Sequence, residues 1–318
     1  MNNPGVIALY APQAGLIAEV AGKRRESEKY FKDALTHYRQ IGANLTRLLG
    51  NYYERTNQPV EAEALYRNFV KANPTSTMFN QSLKRLTAPN HRKSIIVPNR
   101  SGVAEALFSL ARSIQPQNPH HAIIFNRLAI FVDPEFSFAK LRLADELNRN
   151  NNSHSALAIY KSISKDPMYG WTARLRVART YSFLEKVDDA AKTLKTMAKE
   201  EKNRIDALVT LGNIYRSRMR YGEAVNAFEE AKKRVKNWEK QHWRLLYGNA
   251  ASLERLNKWP AAEKDFLKAL ELNPNEPKIL NYLGYSWVEQ RKNLKRAYKM
   301  IKDAVEQRPQ AAYIVDSL

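Results

Sequence analysis

A period of 34 residues constrains the fold of this chain more than any other feature. Small residues stand at Ala144, Ala178 and Gly212, and the differences 178 − 144 and 212 − 178 are both 34. In the last of these segments the small residue is followed by Tyr215 and then by Ala224. A repeat of this length, with a small residue, an aromatic residue and an alanine at fixed offsets, predicts one small structural unit per period.

Each period is predicted to form two helices. Leu208, Leu211 and Tyr215 are spaced by three and four residues, so they share one face of a first helix. Residues 218–222 then form a short polar turn whose last residue is a glycine, which we interpret as ending the helix. Two amphipathic helices joined by so short a turn lie antiparallel. The absent side chain of Gly212 lets the two helices approach closely.

The same frame can be followed along most of the chain. Further copies occupy residues 43–76, 103–136, 243–276 and 277–310, and a degenerate copy near the start contains Gly15. This pattern resembles the tetratricopeptide repeat. The resemblance implies an all-α fold, a right-handed superhelical solenoid of about eight antiparallel helix pairs. Because one pair cannot bury its apolar faces alone, neighbouring pairs must stack.

The repeat pattern also predicts the domain organisation. Residues 87–102 contain two prolines and a glycine and lack a helical period, which indicates an irregular connection. The predicted segments are therefore N-terminal helix pairs in 1–86, the connection in 87–102, the repeat solenoid in 103–310, and the start of an incomplete repeat in 311–318.

The excess of basic residues indicates which kinds of partner the protein can attract. The formal net charge is +20, which favours contact with acidic proteins, nucleic acid or anionic lipid surfaces. Solvated helix faces are the simplest interpretation of this charge. The basic residues concentrate at 23–25, 91–93, 216–220, 232–236 and 291–302.

Several other classes of protein lack support in the sequence. There is no cysteine, so disulfides and thiolate metal sites are excluded. No run of 18 apolar residues predicts a transmembrane helix, and no signal peptide is predicted, which favours the cytoplasm. The chain has neither a phosphate-binding glycine loop, nor a His-Glu-x-x-His motif, nor a nucleophile elbow. We therefore expect no catalytic activity, no cofactor and no metal site.

A partner is expected on the concave face of the solenoid, which the first helices line. Cationic and amide side chains that point away from the second helix can hold a carboxylate there, although simple solvation would also explain them. Lys232 and Lys233 belong to a second helix and are expected to face outward. The predicted partner-binding residues are Arg47, Asn51, Arg179, Asn213, Arg216 and Arg244.

These features favour an interaction scaffold that binds a protein or peptide of acidic character. The alternative is a basic nucleic-acid-binding repeat protein, and an enzyme subunit is a third class. Aromatic side chains that could stack bases fall instead on positions that the repeat assigns to the core. These core positions hold Tyr53, Tyr66, Tyr181, Tyr215 and Phe228.

Two stretches narrow the resemblance. Residues 101–111 (SGVAEALFSLA) and 280–288 (LNYLGYSWV), together with residues 314–318, are similar to alphaproteobacterial tetratricopeptide-repeat lipoproteins. Those proteins are adaptors that present substrates to a periplasmic C-terminal-processing protease. The resemblance implies a non-catalytic adaptor whose partners are a protease or its substrates, located in the periplasm at the outer membrane.

Overall fold

The structure is a computed structural model that describes residues 4–37, 42–74, 76, 78–87, 99–115 and 117–317. Every regular element in these residues is helical, and no strand occurs among them. The chain divides into two compact units, unit 1 (Met1–Thr180) and unit 2 (Tyr181–Leu318).

Unit 1 contains four helix pairs, α1 with α2, α3 with α4, α6 with α7, and α8 with α9. A short helix, α5, follows the second pair, and the boundary with unit 2 falls inside α10. The helices are α1 (Pro4–Val20), α2 (Arg24–His37), α3 (Ala43–Arg55), α4 (Pro59–Ala72), α5 (Asn80–Leu86), α6 (Asn99–Ile114), α7 (Pro119–Val132), α8 (Ser137–Arg149), α9 (Ser153–Ser162) and α10 (Gly170–Phe183).

Unit 2 begins with the last residues of α10 and continues with α11 and three helix pairs, α12 with α13, α14 with α15, and α16 with α17. A 3₁₀ turn at Lys240–His242 precedes α14. The helices are α11 (Val187–Glu200), α12 (Asp206–Ser217), α13 (Tyr221–Arg234), α14 (Trp243–Arg255), α15 (Trp259–Leu272), α16 (Pro277–Glu289), α17 (Leu294–Gln307) and α18 (Ala312–Val315).

The predicted all-α architecture of antiparallel helix pairs is confirmed. Connections such as Arg218–Arg220, between α12 and α13, leave three residues for a reversal of direction, which forces the two helices to run antiparallel. Residues 88–98 of the predicted connection at 87–102 lie outside the described residues, whereas residues 99–102 already belong to α6. Among the described residues, no helix combines the length and the apolar character needed to cross a membrane.

The core is built from the predicted repeat positions. Tyr53, Tyr66, Tyr215 and Phe228 are buried, as the frame predicts. Tyr181 is the exception, because its side chain is partly exposed on α10. The period therefore identifies the buried aromatic residues in most copies, but the local surroundings decide how deeply each one is buried.

Gly212 is needed for a reason that differs from the expected one. A methyl group placed on Gly212 would lie 2.6 Å from Cε1 of Phe228, and one on Gly248 would lie 2.7 Å from Cζ of the same ring. The missing side chains thus make room for an aromatic ring of the second helix, rather than only for the close approach of two backbones. Gly50 has the same role, because a methyl group there would overlap the ring of Tyr66.

Six turns between consecutive helices contain a non-glycine residue in the left-handed backbone conformation. In the α12–α13 turn, Met219 has a φ of 57°, and the N–H of Arg220 donates to the carbonyl of Tyr215 at 2.9 Å. This is the Schellman arrangement, in which a left-handed residue ends the helix. Gly222 is the second residue of α13, so our interpretation of it as the helix-ending residue is wrong. The left-handed residues of the six turns are Asn57, Asn151, Glu185, Met219, Asn257 and Arg291.

Replacing Met219 by glycine should stabilise the protein by about 1 kcal/mol, because glycine adopts the left-handed conformation without a Cβ clash. The Met219 side chain is 74% exposed, so little packing is lost. Thermal unfolding of the full chain measures the effect. The matched control is Ser217→Gly at the exposed end of α12, where glycine should be destabilising. Stabilisation in both variants would contradict the turn assignment.

A buried polar cluster joins two adjacent pairs of unit 2. Lys232 on α13 donates to Glu229 at 2.9 Å and to Asp265 on α15 at 2.8 and 2.9 Å. The Nδ2 of Asn249 on α14 donates to the same two carboxylates at 2.6 and 2.7 Å. Burial disfavours the charged amine, yet the hydrogen bonds to Asp265 and Glu229 raise the pKa of Lys232 above its usual value.

Lys232 therefore does not face outward, and this expectation is wrong. Its position three residues after Glu229 turns the amine toward the next helix pair. Lys233 does face outward, with a side chain that is 75% exposed.

Candidate functional site

The first helices of unit 2 present a partly exposed face. On α12, the side chains of Leu208, Leu211 and Tyr215 are buried, while the other side of the helix carries residues that remain partly open. The same division holds for α14 and α16. We call this surface the first-helix face, and its members are Asn213, Arg216, Arg244, Tyr247, Tyr282 and Tyr285.

Aromatic contacts join two helices of this face, α14 and α16, to each other and to α15. The centroids of the Tyr247 ring on α14 and the Tyr282 ring on α16 lie 5.8 Å apart, and the rings meet edge to face. Both rings also contact the ring of Phe266 on α15. The hydroxyl of Tyr282 donates to Glu254 Oε2 at 2.9 Å. Burial raises the pKa of the Tyr247 phenol, and the positive charge of Arg216 opposes this rise. Arg216 of α12 and Tyr247 of α14 are therefore electrostatic neighbours.

Arg216 differs from the other two arginines of its cluster. Arg218 lies 3.3 Å from Glu185, and Arg220 contacts both Asp188 and Glu223. Among the residues that the structure describes, no carboxylate pairs with Arg216, and its Nε is buried without an acceptor. The buried Nε is a donor whose missing partner costs free energy, and the partly exposed remainder of the guanidinium can bind a ligand.

Arg244 and Asn213 lie on the same face as Arg216. The guanidinium of Arg244 is exposed and stands over the ring of Trp243, with Cζ 4.9 Å from the ring centroid. Asn213 is half-buried on α12, one residue after Gly212. Three of the predicted residues are thus found on the two adjacent helices α12 and α14, and together they offer cationic and amide donors.

In unit 1, Arg47 is already engaged within the fold. Its guanidinium pairs with the buried carboxylate of Glu105 on α6, donates to Oδ1 of Asn44 at 3.0 Å, and stands 5.3 Å from the centroid of the Phe136 ring. The predicted role of Arg47 as an open donor is therefore corrected to an internal contact between α3 and its neighbours. The pattern missed this contact because Glu105 lies 58 residues away in sequence.

The other two predicted residues of unit 1 have different surroundings. Asn51 Oδ1 accepts from the hydroxyl of Tyr66 at 3.4 Å, so it faces the second helix of its own pair. At the equivalent position of the α8–α9 pair, Asp145 accepts from Tyr160 at 2.6 Å and also pairs with Arg176. Arg179 is exposed on α10. Much of the polar capacity predicted for unit 1 is consequently used inside the fold.

Tyr282 and Tyr285 were missed by the sequence reasoning. The repeat frame could have found Tyr285, because it follows Gly284 as Asn213 follows Gly212. Tyr282 has no such signal, since its partly exposed position depends on the ring of Tyr247 beside it. Among the described residues, no cluster of three or more potential metal-binding side chains is found.

Comparison with known proteins also identifies repeats in this chain. The tetratricopeptide repeat family model matches residues 13–77 and 247–312. No curated protein matches the sequence. Solved structures with a similar fold include the hetero-tetramer Cut9–Hcn1 of the APC/C, at 14% identity and a TM-score of 0.51, over 92% of this chain and 58% of that chain. This chain thus spans little more than half of that relative.

A tetratricopeptide repeat protein from Parabacteroides merdae ATCC 43184 is also similar, at 14% identity and a TM-score of 0.51, over 86% of this chain and 96% of that chain. At this identity the likeness concerns the fold alone. The family model places tetratricopeptide repeats at residues 13–77 and 247–312, and the helix pairs between them have the same antiparallel architecture. The chain therefore contains tetratricopeptide repeats near both ends of an all-helical fold.

Proposed function

We propose that this protein is a non-catalytic scaffold that binds a protein or peptide on the first-helix face of unit 2. The observation that carries the proposal is Arg216, a half-buried guanidinium that no described carboxylate neutralises. A carboxylate of a partner, from an acidic side chain or a C-terminus, would form charge-assisted hydrogen bonds there. Arg244 and Asn213 add donors on the same face.

The aromatic residues of this face supply the apolar part of the interface. Tyr285 is 45% exposed, and the edge-to-face pair of Tyr247 and Tyr282 forms a firm surface beside it. Tyrosine contributes contact area at a low cost in conformational entropy, and aromatic residues with arginine dominate the energetics of many interfaces. A peptide with one acidic and one apolar anchor would fit this combination.

The resemblance of residues 101–111 and 280–288 to lipoprotein adaptors narrows the proposal further. It supports a protease, or the substrates of a protease, as the bound protein, and the periplasm as the location. Nucleic acid is the competing ligand, and it would contact phosphate-binding lysines on several faces instead of one defined face.

The test uses a peptide selected on the full chain from a random-peptide display library. Reversing the charges of Arg216 and Arg244 to glutamate should weaken this peptide by about 10- to 100-fold, mainly through a slower association, and should make its affinity less dependent on salt. Titration calorimetry and stopped-flow kinetics measure both effects. Both residues lie outside the core, so the thermal midpoint should stay close to that of the parent.

The matched control is Lys233→Glu with Lys264→Glu, because both lysines are exposed on second helices of the same unit. Lys232 is unsuitable for this control, because its amine belongs to the buried cluster. An equal loss of affinity in both double variants would mean that diffuse charge attracts the peptide, and the first-helix face would be the wrong site. A chain that selects no peptide but retains duplex DNA at physiological salt would favour the nucleic-acid alternative.

A further inference from the structure

The basic clusters of the sequence differ in how many of their residues form ion pairs with carboxylates. Lys23 pairs with Glu26, and Arg218 and Arg220 pair with Glu185, Asp188 and Glu223. The cluster at 232–236 also contacts carboxylates, since Lys232, Lys233 and Arg234 each lie near Glu229 or Glu230. The cluster at 91–93 lies outside the described residues. The segment 291–302 has fewer ion pairs for its number of basic residues than these clusters have.

Residues 291–302 have the sequence RKNLKRAYKMIK, which contains six basic residues and no acidic one. Within the part of the chain that the structure describes, one ion pair involves this segment, Lys302 with Glu306 at 3.9 Å, and both side chains are more than half exposed. Such an exposed pair contributes little. Arg296 stands over the ring of Trp287, with Cζ 5.2 Å from the centroid, and this contact leaves its charge uncompensated.

The helix α17 separates its side chains into three stripes. Ala297, Met300, Ile301 and Ala304 are buried against the rest of unit 2. At 100° per residue, Lys295, Lys299 and Lys302 point in the opposite direction, and all three are exposed. Between these two stripes lie Leu294 and Tyr298, which are 53% and 59% exposed. The outer surface of α17 is thus a row of three lysines, with Glu306 at its C-terminal end, bordered by an apolar edge.

We propose that the outer surface of α17 binds the surface of an anionic lipid bilayer. The charge is complementary, because lysines near an anionic membrane are attracted by its surface potential. The apolar edge fits the same partner, since an interfacial helix inserts leucine and aromatic side chains among the headgroups while its lysines extend toward the phosphates. The helix of 14 residues offers about 21 Å of such surface.

The apolar edge also favours lipid over nucleic acid as the occupant. Leu294 has no face on which a base could stack, and Tyr298 is a single aromatic ring instead of a series, whereas single-strand binding uses several stacked rings. This surface belongs to the second helix of its pair, so it is separate from the first-helix face. Membrane attachment and peptide binding can therefore be tested independently.

The experiment is flotation of the full chain with vesicles of phosphatidylcholine alone or of phosphatidylcholine mixed with phosphatidylglycerol. The parent should float with the mixed vesicles only. The triple variant Lys295→Glu, Lys299→Glu, Lys302→Glu should bind them roughly 100-fold more weakly, because each cation contributes roughly a fivefold factor near an anionic surface.

The matched control replaces Lys192, Lys195 and Lys199 by glutamate. These three lysines are also exposed, on α11, and the substitution changes the net charge by the same amount. The affinity of this control for the mixed vesicles should fall by less than about threefold. A similar loss in both triple variants, or a parent that does not bind the mixed vesicles, would overturn the proposal. The thermal midpoints of both variants verify that they are folded.

A second variant separates lipid from nucleic acid. Leu294→Ser with Tyr298→Ser keeps every charge, so it should weaken vesicle binding and leave any association with duplex DNA unchanged. Unchanged vesicle binding in this variant, or DNA binding at physiological salt that only the α17 triple variant abolishes, would assign the surface to nucleic acid and not to the membrane.

Discussion

Replacing Gly212 by leucine should lower the free energy of unfolding by about 3 kcal/mol, near the upper end of what overpacking of a core costs. The ring of Phe228 is fully buried and lies between Gly212 and Gly248, so it has no space into which it could rotate. A leucine side chain at Gly212 would have to displace this ring or separate α12 from α13. Chemical denaturation of the full chain measures the effect.

Gly222 provides a control for the same substitution in the same helix pair. A methyl group on Gly222 would meet no atom within 4 Å, so Gly222→Leu should leave stability unchanged or raise it slightly through its higher helix propensity. If the two variants unfolded at the same denaturant concentration, the packing of Phe228 against Gly212 would not be what makes the glycine necessary.

The second large effect is expected at the buried polar cluster. Asp265→Ala should destabilise the protein by about 3 kcal/mol, because it removes the buried carboxylate that binds both Lys232 and Asn249. The side chain of Asp265 is 7% exposed, and it accepts both from Lys232 and from Asn249. Without it, the Nδ2 of Asn249 and the amine of Lys232 would share the single carboxylate of Glu229.

The comparison is with Glu230→Ala, which removes a more exposed carboxylate 3.4 Å from Arg234 and 3.7 Å from Lys233. This change should alter stability by less than about 0.5 kcal/mol. Equal thermal midpoints for the two alanine variants would show that the cluster around Asp265 does not stabilise the contact between the helix pairs.

The sequence predicted the helix pairs because their determinants recur at a fixed period. Gly212 and Phe228 of one repeat correspond to Gly50 and Tyr66 of another, with the same spacing. Apolar residues spaced by three and four positions are sufficient to predict an amphipathic helix. The turns were harder to predict, because Glu185, Met219 and Arg291 adopt a left-handed conformation that is more often found at glycine or asparagine. The register of the repeat, and not the residue type, places them there.

The pairing of charges was the main part that the sequence reasoning missed. The sequence predicts that Arg47 binds a partner, but its guanidinium pairs with the carboxylate of Glu105 across an interface between helices. Some of these pairs have a recognisable signal, since Arg218 and Glu185 are 33 residues apart and Lys232 and Asp265 are also 33 residues apart. Opposite charges one repeat apart are brought together when repeats stack, whereas an unpaired cation such as Arg216 can be recognised only in the structure.

The claim that a peptide binds the first-helix face is tested most directly by photo-cross-linking. A photoreactive phenylalanine analogue at Tyr285, which is exposed on α16, should attach to the peptide selected from the display library. The same analogue at Lys264, which is exposed on the second helix α15, should not attach to it. Cross-linking at Lys264 with no product at Tyr285 would contradict the account.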